Sequence, residues 1–426
     1  MNAIDKFFKG SKNVTRSAFL WNMMSSGLLA AQAVIVMMLL TRTIGVEDAG
    51  VFSFAHSNAN LMYFIGEFGC RRFQASDVKE KYSPGEYYAY RSLSCVLMIV
   101  ALLIFCVNAY VSGEYTVAKT LTVFFVGMCL VVQALSDGHE ANMQQKGRLD
   151  IAAKGAFART MSLILAYFIG IFLTKSLVIS SVLAFCMALV TFLTTTFRFS
   201  ADFGSRRPVY NLESIRTLFI AVLPIFLTLF LNNYIGNAPK YAIDSTLGDE
   251  IQAIYGFLFM PTYAISVACG FIFNPIIVKY STLWVDGNIK EFRRLVFRQM
   301  ILVGGLTLVA LAGGFLLGIP VLSAIFGTSL VGYRAELCIL IIGGGMYAFC
   351  VFFTTVTTIM RRQNTLLVGY VIAAAAMLLF SKKIIVTYGL MGAAIMYAFI
   401  MTLLAALLFV FCIIGIKKRM AERADF

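Results

Sequence analysis

Twelve stretches of this 426-residue chain are apolar for about 20 residues or more, with short polar connections between them. Their approximate limits are 16–40, 51–73, 88–110, 116–140, 152–174, 177–198, 215–237, 250–277, 296–318, 335–360, 364–384 and 389–416. About 20 helical residues cross a hydrocarbon core of roughly 30 Å, so each stretch predicts one spanning helix. Helices are expected because lipid offers no partner to an unpaired backbone group. The longest connections, around 74–87, 199–214 and 278–295, leave no room for a soluble catalytic domain. The fold class predicted is an all-α polytopic membrane protein: about 12 transmembrane helices in two pseudo-symmetric six-helix lobes around a central cavity.

The lobes are expected at 1–206 and 207–426, because the connection from Ser200 to Ser214 carries Arg206, Arg207 and Pro208 and divides the spans six and six. A short echo supports the division. Gly45-Val46-Glu47-Asp48-Ala49-Gly50-Val51-Phe52 follows the first span, and Gly248-Asp249-Glu250-Ile251-Gln252-Ala253-Ile254-Tyr255 follows the seventh. Two such repeats about an axis along the membrane normal are a known transporter plan.

Composition agrees with the pattern: 60% of residues are hydrophobic and 13% charged, more apolar surface than a soluble exterior tolerates. The net charge of +14 changes the picture only through its distribution. With spans alternating from a cytoplasmic start, only Arg42, Lys119, Lys175, Lys240, Arg334, Lys382 and Lys383 of the 35 basic residues fall outside. That is the positive-inside bias, so the charge reports orientation and not a nucleic-acid partner. Both termini are expected in the cytoplasm, and the first span serves as its own insertion signal. Nine cysteines without a CxxC pair read as small hydrophobes, and His56 and His139 alone cannot build a histidine-rich metal site.

Two glycine motifs fail as nucleotide sites. Gly113 to Thr120 nearly spells a phosphate loop, but Ala118 stands where the second glycine belongs. Gly343-Gly344-Gly345 falls inside a span, where small residues allow close helix packing.

The chemistry lies in polar stripes. On one continuous helix His56, Asn60, Tyr63, Glu67, Arg71 and Gln74 would share a face about 80° wide. Gln133, Asp137, Glu140 and Gln144 repeat this on the fourth span, and Thr228, Asn232 and Asn233 follow Pro224 on the seventh. Such residues either bond helix to helix or line a water-filled path. Glu67 and Asp137 favour the path, because a carboxylate in mid-membrane costs about 2.5–3.5 kcal/mol on insertion scales. Arg16, Arg42 and Lys240 flank the first and seventh spans, where they either snorkel to head groups or attract an anion.

The run Trp21-Asn22, Leu40 to Phe52, Asn60-Leu61-Met62 and Gly69 to Ser83 resembles the opening of bacterial polysaccharide-unit flippases. These are the Wzx-type O-antigen and capsule exporters of the multidrug/oligosaccharidyl-lipid/polysaccharide (MOP) superfamily. Gly147-Arg148-Leu149-Asp150, Asn237 to Asp244, Asn274-Pro275 and Gly287 to Phe292 continue the likeness, which covers residues from about 16 to 300. One departure is Lys240-Tyr241, where the family pattern has Arg-Tyr, so a point charge replaces a planar fork.

The resemblance implies a transporter and not an enzyme, in the inner membrane of a bacterium. It would carry a polyprenyl-diphosphate-linked oligosaccharide, a substrate used in lipopolysaccharide or capsule synthesis, from the cytoplasmic to the outer leaflet. Arg42 and Lys240, with Arg16, would bind the diphosphate. His56, Asn60, Tyr63, Arg71, Asn232 and Asn233 would line the path, and Glu67 and Asp137 would couple movement to a proton or Na⁺ gradient, with no bound cofactor. Partners implied are the lipid-linked substrate, membrane lipid and the polysaccharide assembly machinery. The rival expectations are an ion-coupled multidrug exporter of the same superfamily, a membrane oligosaccharide polymerase or ligase, and a non-transporting scaffold.

Overall fold

The computed structural model describes residues 3–76, 81–273, 277–360 and 363–424, and among these the chain is helical, with no strand. In order the helices are α1 (Ala3–Lys9), α2 (Val14–Thr43), α3 (Val46–Glu67), α4 (Cys70–Ser76), α5 (Pro84–Val111), α6 (Val117–Gln145), α7 (Leu149–Thr174), α8 (Leu177–Phe192) and α9 (Arg198–Ser200). There follow α10 (Leu212–Asp244), α11 (Asp249–Phe273), α12 (Ile277–Val285), α13 (Ile289–Gly313), α14 (Ile319–Phe326), α15 (Arg334–Ile359) and α16 (Gln363–Ala424). Single π-helical turns join α8 to α9 and α13 to α14. Gly389, at φ 58°, divides α16 into two arms.

The described residues thus form twelve rods of membrane-crossing length. The all-α polytopic class expected from the hydropathy pattern is the class observed. Most rods outrun their apolar windows because polar caps add turns. Asn13 accepts the Arg16 N–H at the start of α2. Ser83 and Glu86 form a reciprocal capping box at the start of α5, with Pro84 in its first turn. The ninth span, expected at 296–318, becomes a continuous rod from Ile289 to Phe326. The quoted Asn274-Pro275, and residues 77–80 of the Gly69 to Ser83 run, lie outside the described residues.

Two compact units divide the chain at Met1–Phe230 and Leu231–Phe426, so α10 contributes to both. In the first unit, Phe68, Tyr82, Tyr87 and Tyr90 bury against Leu218 and Val222 of α10. The α1 helix is held there by Lys154, whose Nζ donates to the carbonyls of Phe7 (2.7 Å) and Phe8 (3.1 Å) and lies 2.9 Å from Ser11 Oγ. Phe8 stacks on Phe199 at 4.5 Å.

In the second unit the three glycines of α15 are a packing hub. A Cβ on Gly343 would meet Tyr397, one on Gly344 would stand 2.8 Å from Thr262 Cβ, and one on Gly345 would meet Thr307. Three helices, α16, α11 and α13, therefore close on one bare stretch of backbone. The echo noted in the sequence recurs in the backbone: Gly45 (φ 146°) and Gly248 (φ 83°) turn the chain into α3 and α11, and both helices open with acidic residues.

Candidate functional site

The expected stripe on the second span does not run on one helix. α3 stops at Glu67, and Phe68 (φ 42°) and Gly69 (φ 69°) both turn left-handed before α4 begins at Cys70. For a bulky residue that conformation is costly, and packing holds it. Phe68 stacks on Phe226 at 4.0 Å and Phe219 at 5.3 Å, and is itself buried. Arg71 and Gln74 therefore leave α3's register. The wheel that put them on the His56 face assumed a helix that is broken.

The break delivers Arg71 to α6. Its Nη1 donates to Asp137 Oδ1 at 2.5 Å and to Glu140 Oε2 at 3.3 Å. The Tyr63 hydroxyl donates to the other oxygen of Asp137. Glu140 Oε1 accepts from Arg159 Nη1 of α7 at 2.8 Å. Four helices thus meet in one chain of contacts, Tyr63–Asp137–Arg71–Glu140–Arg159. Asp137, Glu140 and Arg159 side chains are 3%, 1% and 6% exposed, whereas Arg71, at 30%, is the most exposed of the four.

A second buried arginine completes the cluster. Arg91 of α5 donates from Nη1 to the Gly66 carbonyl at 2.8 Å, and Ser94 Oγ donates to the same oxygen at 2.7 Å. That carbonyl belongs to the last turn of α3, where no intrahelical partner remains. Buried Glu67 is within electrostatic reach of Arg71, Arg91 and Tyr63. Gly138 lets the Arg91 side chain lie against α6, where a Cβ would stand 3.3 Å from its Cγ.

Of the residues singled out in the sequence, Tyr63, Arg71 and Asp137 come together. Others resolve as local contacts. Asn60 Nδ2 donates to the His56 carbonyl at 2.8 Å, one turn back on its own helix. His56 stacks on Phe52 at 5.8 Å. Asn233 accepts from Asn237, while Asn232 reaches across to the Tyr347 hydroxyl at 3.2 Å. Lys240 is buried, with Nζ 5.2 Å above the Phe259 ring. Arg16 and Arg42, both exposed, sit near opposite ends of α2, about 39 Å apart by helical rise. One diphosphate cannot touch both, so Arg16 is withdrawn from the anion site expected at Arg42.

Arg91, Lys154 and Arg159 read in the sequence as inner-face charge, yet all three are buried. Their signal was present: Arg159 and Lys154 fall within the expected fifth span, and Arg91 within the third.

No family model matches the chain, and no curated protein sequence matches it. Solved structures do. An inward-facing multidrug-resistance MATE transporter of the MOP superfamily superposes with a TM-score of 0.74 at 12% identity, covering 94% of this chain and 99% of that one. The lipid II flippase MurJ, in an inward closed conformation, gives 0.68 at 11% identity, covering 95% of this chain and 89% of its own. The fold is that of MOP-superfamily transporters. A third chain with this fold, from Pyrococcus furiosus, gives 0.57 at 11% identity over 96% of both chains; its reversed pocket polarity suggests a different function for it. Identities this low speak for the MOP fold alone. That fold is shared by a drug exporter and a lipid flippase.

Proposed function

We propose that the chain is a flippase that carries polyprenyl-diphosphate-linked oligosaccharide units from the cytoplasmic to the outer leaflet of a bacterial inner membrane. Its lobes, 1–206 and 207–426, alternate access to the two faces, driven by a proton or Na⁺ gradient, and no covalent chemistry is done on the cargo. The observation that carries this reading is charge balance. The acids Glu67, Asp137 and Glu140 of the first unit share their cluster with Arg71, Arg91 and Arg159. The second unit buries the cation Lys240 in a spanning helix. A site for cationic drugs needs uncompensated negative charge, whereas each acid of this cluster has an arginine within electrostatic reach. Arg42 and Lys240 are the cations assigned to the diphosphate, and the MurJ likeness makes a lipid-linked cargo reasonable for this fold.

The second reading, an ion-coupled multidrug exporter, is favoured by the MATE likeness. Ligand stabilisation separates the two. The purified protein is heated with a polyprenyl diphosphate oligosaccharide or with a hydrophobic organic cation. Selective stabilisation by the diphosphate lipid, lost in Arg42→Ala/Lys240→Ala, is the expected result. Stabilisation by the cation, lost when Glu67 or Asp137 becomes an amide, would make the protein a drug exporter.

A further inference from the structure

We propose that the exposed face of α13 is a binding site for an anionic phospholipid, with the head group on Arg293, Arg294 and Arg298 and an acyl chain along Gly304 and Gly305. The cations come first along the helix. Lys290, Arg293, Arg294 and Arg298 are all exposed, and none makes an ion pair or side-chain hydrogen bond with the described residues. Two adjoining clefts of about 440 and 580 Å³ run between these side chains and share Glu291, Arg294 and Phe297. Glu291 is the one acid among the lining residues, so the clefts carry net positive charge.

Apolar surface follows on the same face. At 100° per residue, Phe297, Ile301 and Leu308 fall within about 20° of Lys290, and Arg294 about 40° from it. Phe297 and Ile301 are each 62% exposed, and Leu308 is 67% exposed. Between Ile301 and Leu308, a Cβ placed on Gly304 or Gly305 meets nothing within 4 Å. The backbone is bare there, and none of the described residues fills the space. Glycines that serve packing in this protein look different: each of the three in α15 lies hard against a neighbouring helix.

Cations over the first 12 Å or so of helix, then an apolar trough over the next 15 Å or so, match a head group and its chain in order and spacing. Unpaired arginines at a head-group level are complementary to phosphate, which they grip bidentately. Zwitterionic lipid offers that phosphate beside a cancelling ammonium, so an anionic head group is the one selected. The site lies in the second unit and is independent of the transport reading.

The test is native mass spectrometry of the full-length protein in detergent with equal phosphatidylglycerol and phosphatidylcholine, with sn-glycerol 1-phosphate as a soluble competitor. The wild type is expected to retain phosphatidylglycerol roughly tenfold over phosphatidylcholine, each lost cation weakening this by about fivefold at most. Arg293→Gln/Arg294→Gln/Arg298→Gln should bring the ratio below about twofold, consistent with that per-cation effect. Gly304→Leu fills the trough without touching charge, and should reduce retention of both lipids while leaving their ratio. An unchanged ratio in the triple variant, or unchanged retention in Gly304→Leu, overturns the site. Displacement by millimolar glycerol phosphate would assign it to a free phosphate and overturn the lipid.

Discussion

Replacing Arg159 by methionine isolates the most buried link of the charge cluster. Glu140 is 1% exposed and has two cationic partners, Arg159 at 2.8 Å and Arg71 at 3.3 Å. Removing Arg159 leaves a buried carboxylate on one long contact to a partly exposed arginine. Breaking a buried pair from one side costs about 3–5 kcal/mol. The remaining Arg71 contact places this case near the lower end, about 3 kcal/mol. Replacing both, as Glu140→Leu/Arg159→Met, removes the stranded charge and leaves Arg71 with Asp137. That double variant should lie within about 1 kcal/mol of wild type, giving a coupling energy of about 2 kcal/mol or more. Reversible unfolding in mixed micelles with increasing dodecyl sulfate, followed by far-UV circular dichroism, reads the four corners of the cycle. Additive losses, or a single-variant loss under about 1 kcal/mol, would refute the claim that Arg159 neutralises Glu140 inside the bundle.

Three other substitutions probe different parts of the structure. Gly344→Ala sets a Cβ 2.8 Å from the Thr262 side chain and 3.0 Å from its backbone, so α15 and α11 must separate. A loss of about 1–3 kcal/mol is expected in the same unfolding assay, eased by Thr262→Ala or Thr262→Ser only in part because the Cβ and Cα of residue 262 still stand in the way. Lys154→Met removes three contacts that hold α1 and should expose residues 3–12 to limited proteolysis while the spanning rods stay protected. Tyr63→Phe deletes the hydroxyl donor to Asp137 and should cost about 1–2 kcal/mol; a neutral result would mean that Asp137 is satisfied by Arg71 alone.

The spanning plan was legible because a bilayer imposes one length scale on every helix. What escaped were features set by single residues. Gly69 is a residue type that ends helices, but nothing in the sequence marks Phe68 for a left-handed turn before its stacking partners on α10, distant in sequence, are known. The helical wheel therefore carried Arg71 and Gln74 past a helix that had ended. The same locality hid the roles of Arg91 and Arg159. A cation counted by its side of the membrane looks alike whether it faces lipid head groups or a buried carboxylate. Asp137 stood out by its insertion cost and was expected on a water-filled path; the structure surrounds it with Tyr63 and Arg71 from other helices. Asn60 looked like a cavity residue, yet its amide is used by the carbonyl one turn back. The triple glycine was legible as a packing device, since a nucleotide loop needs a preceding strand.

Translocation in reconstituted liposomes tests the flippase assignment most directly. Vesicles carrying a fluorescent polyprenyl-diphosphate oligosaccharide are assayed for accessibility to a membrane-impermeant reagent, with wild type, Arg42→Ala/Lys240→Ala and protein-free controls under an imposed ion gradient. Gradient-dependent exposure of the lipid by wild type, lost in the double variant, is the result predicted. Equal exposure in wild type and double variant would contradict the anion site, and wild type no faster than empty vesicles would contradict the flippase.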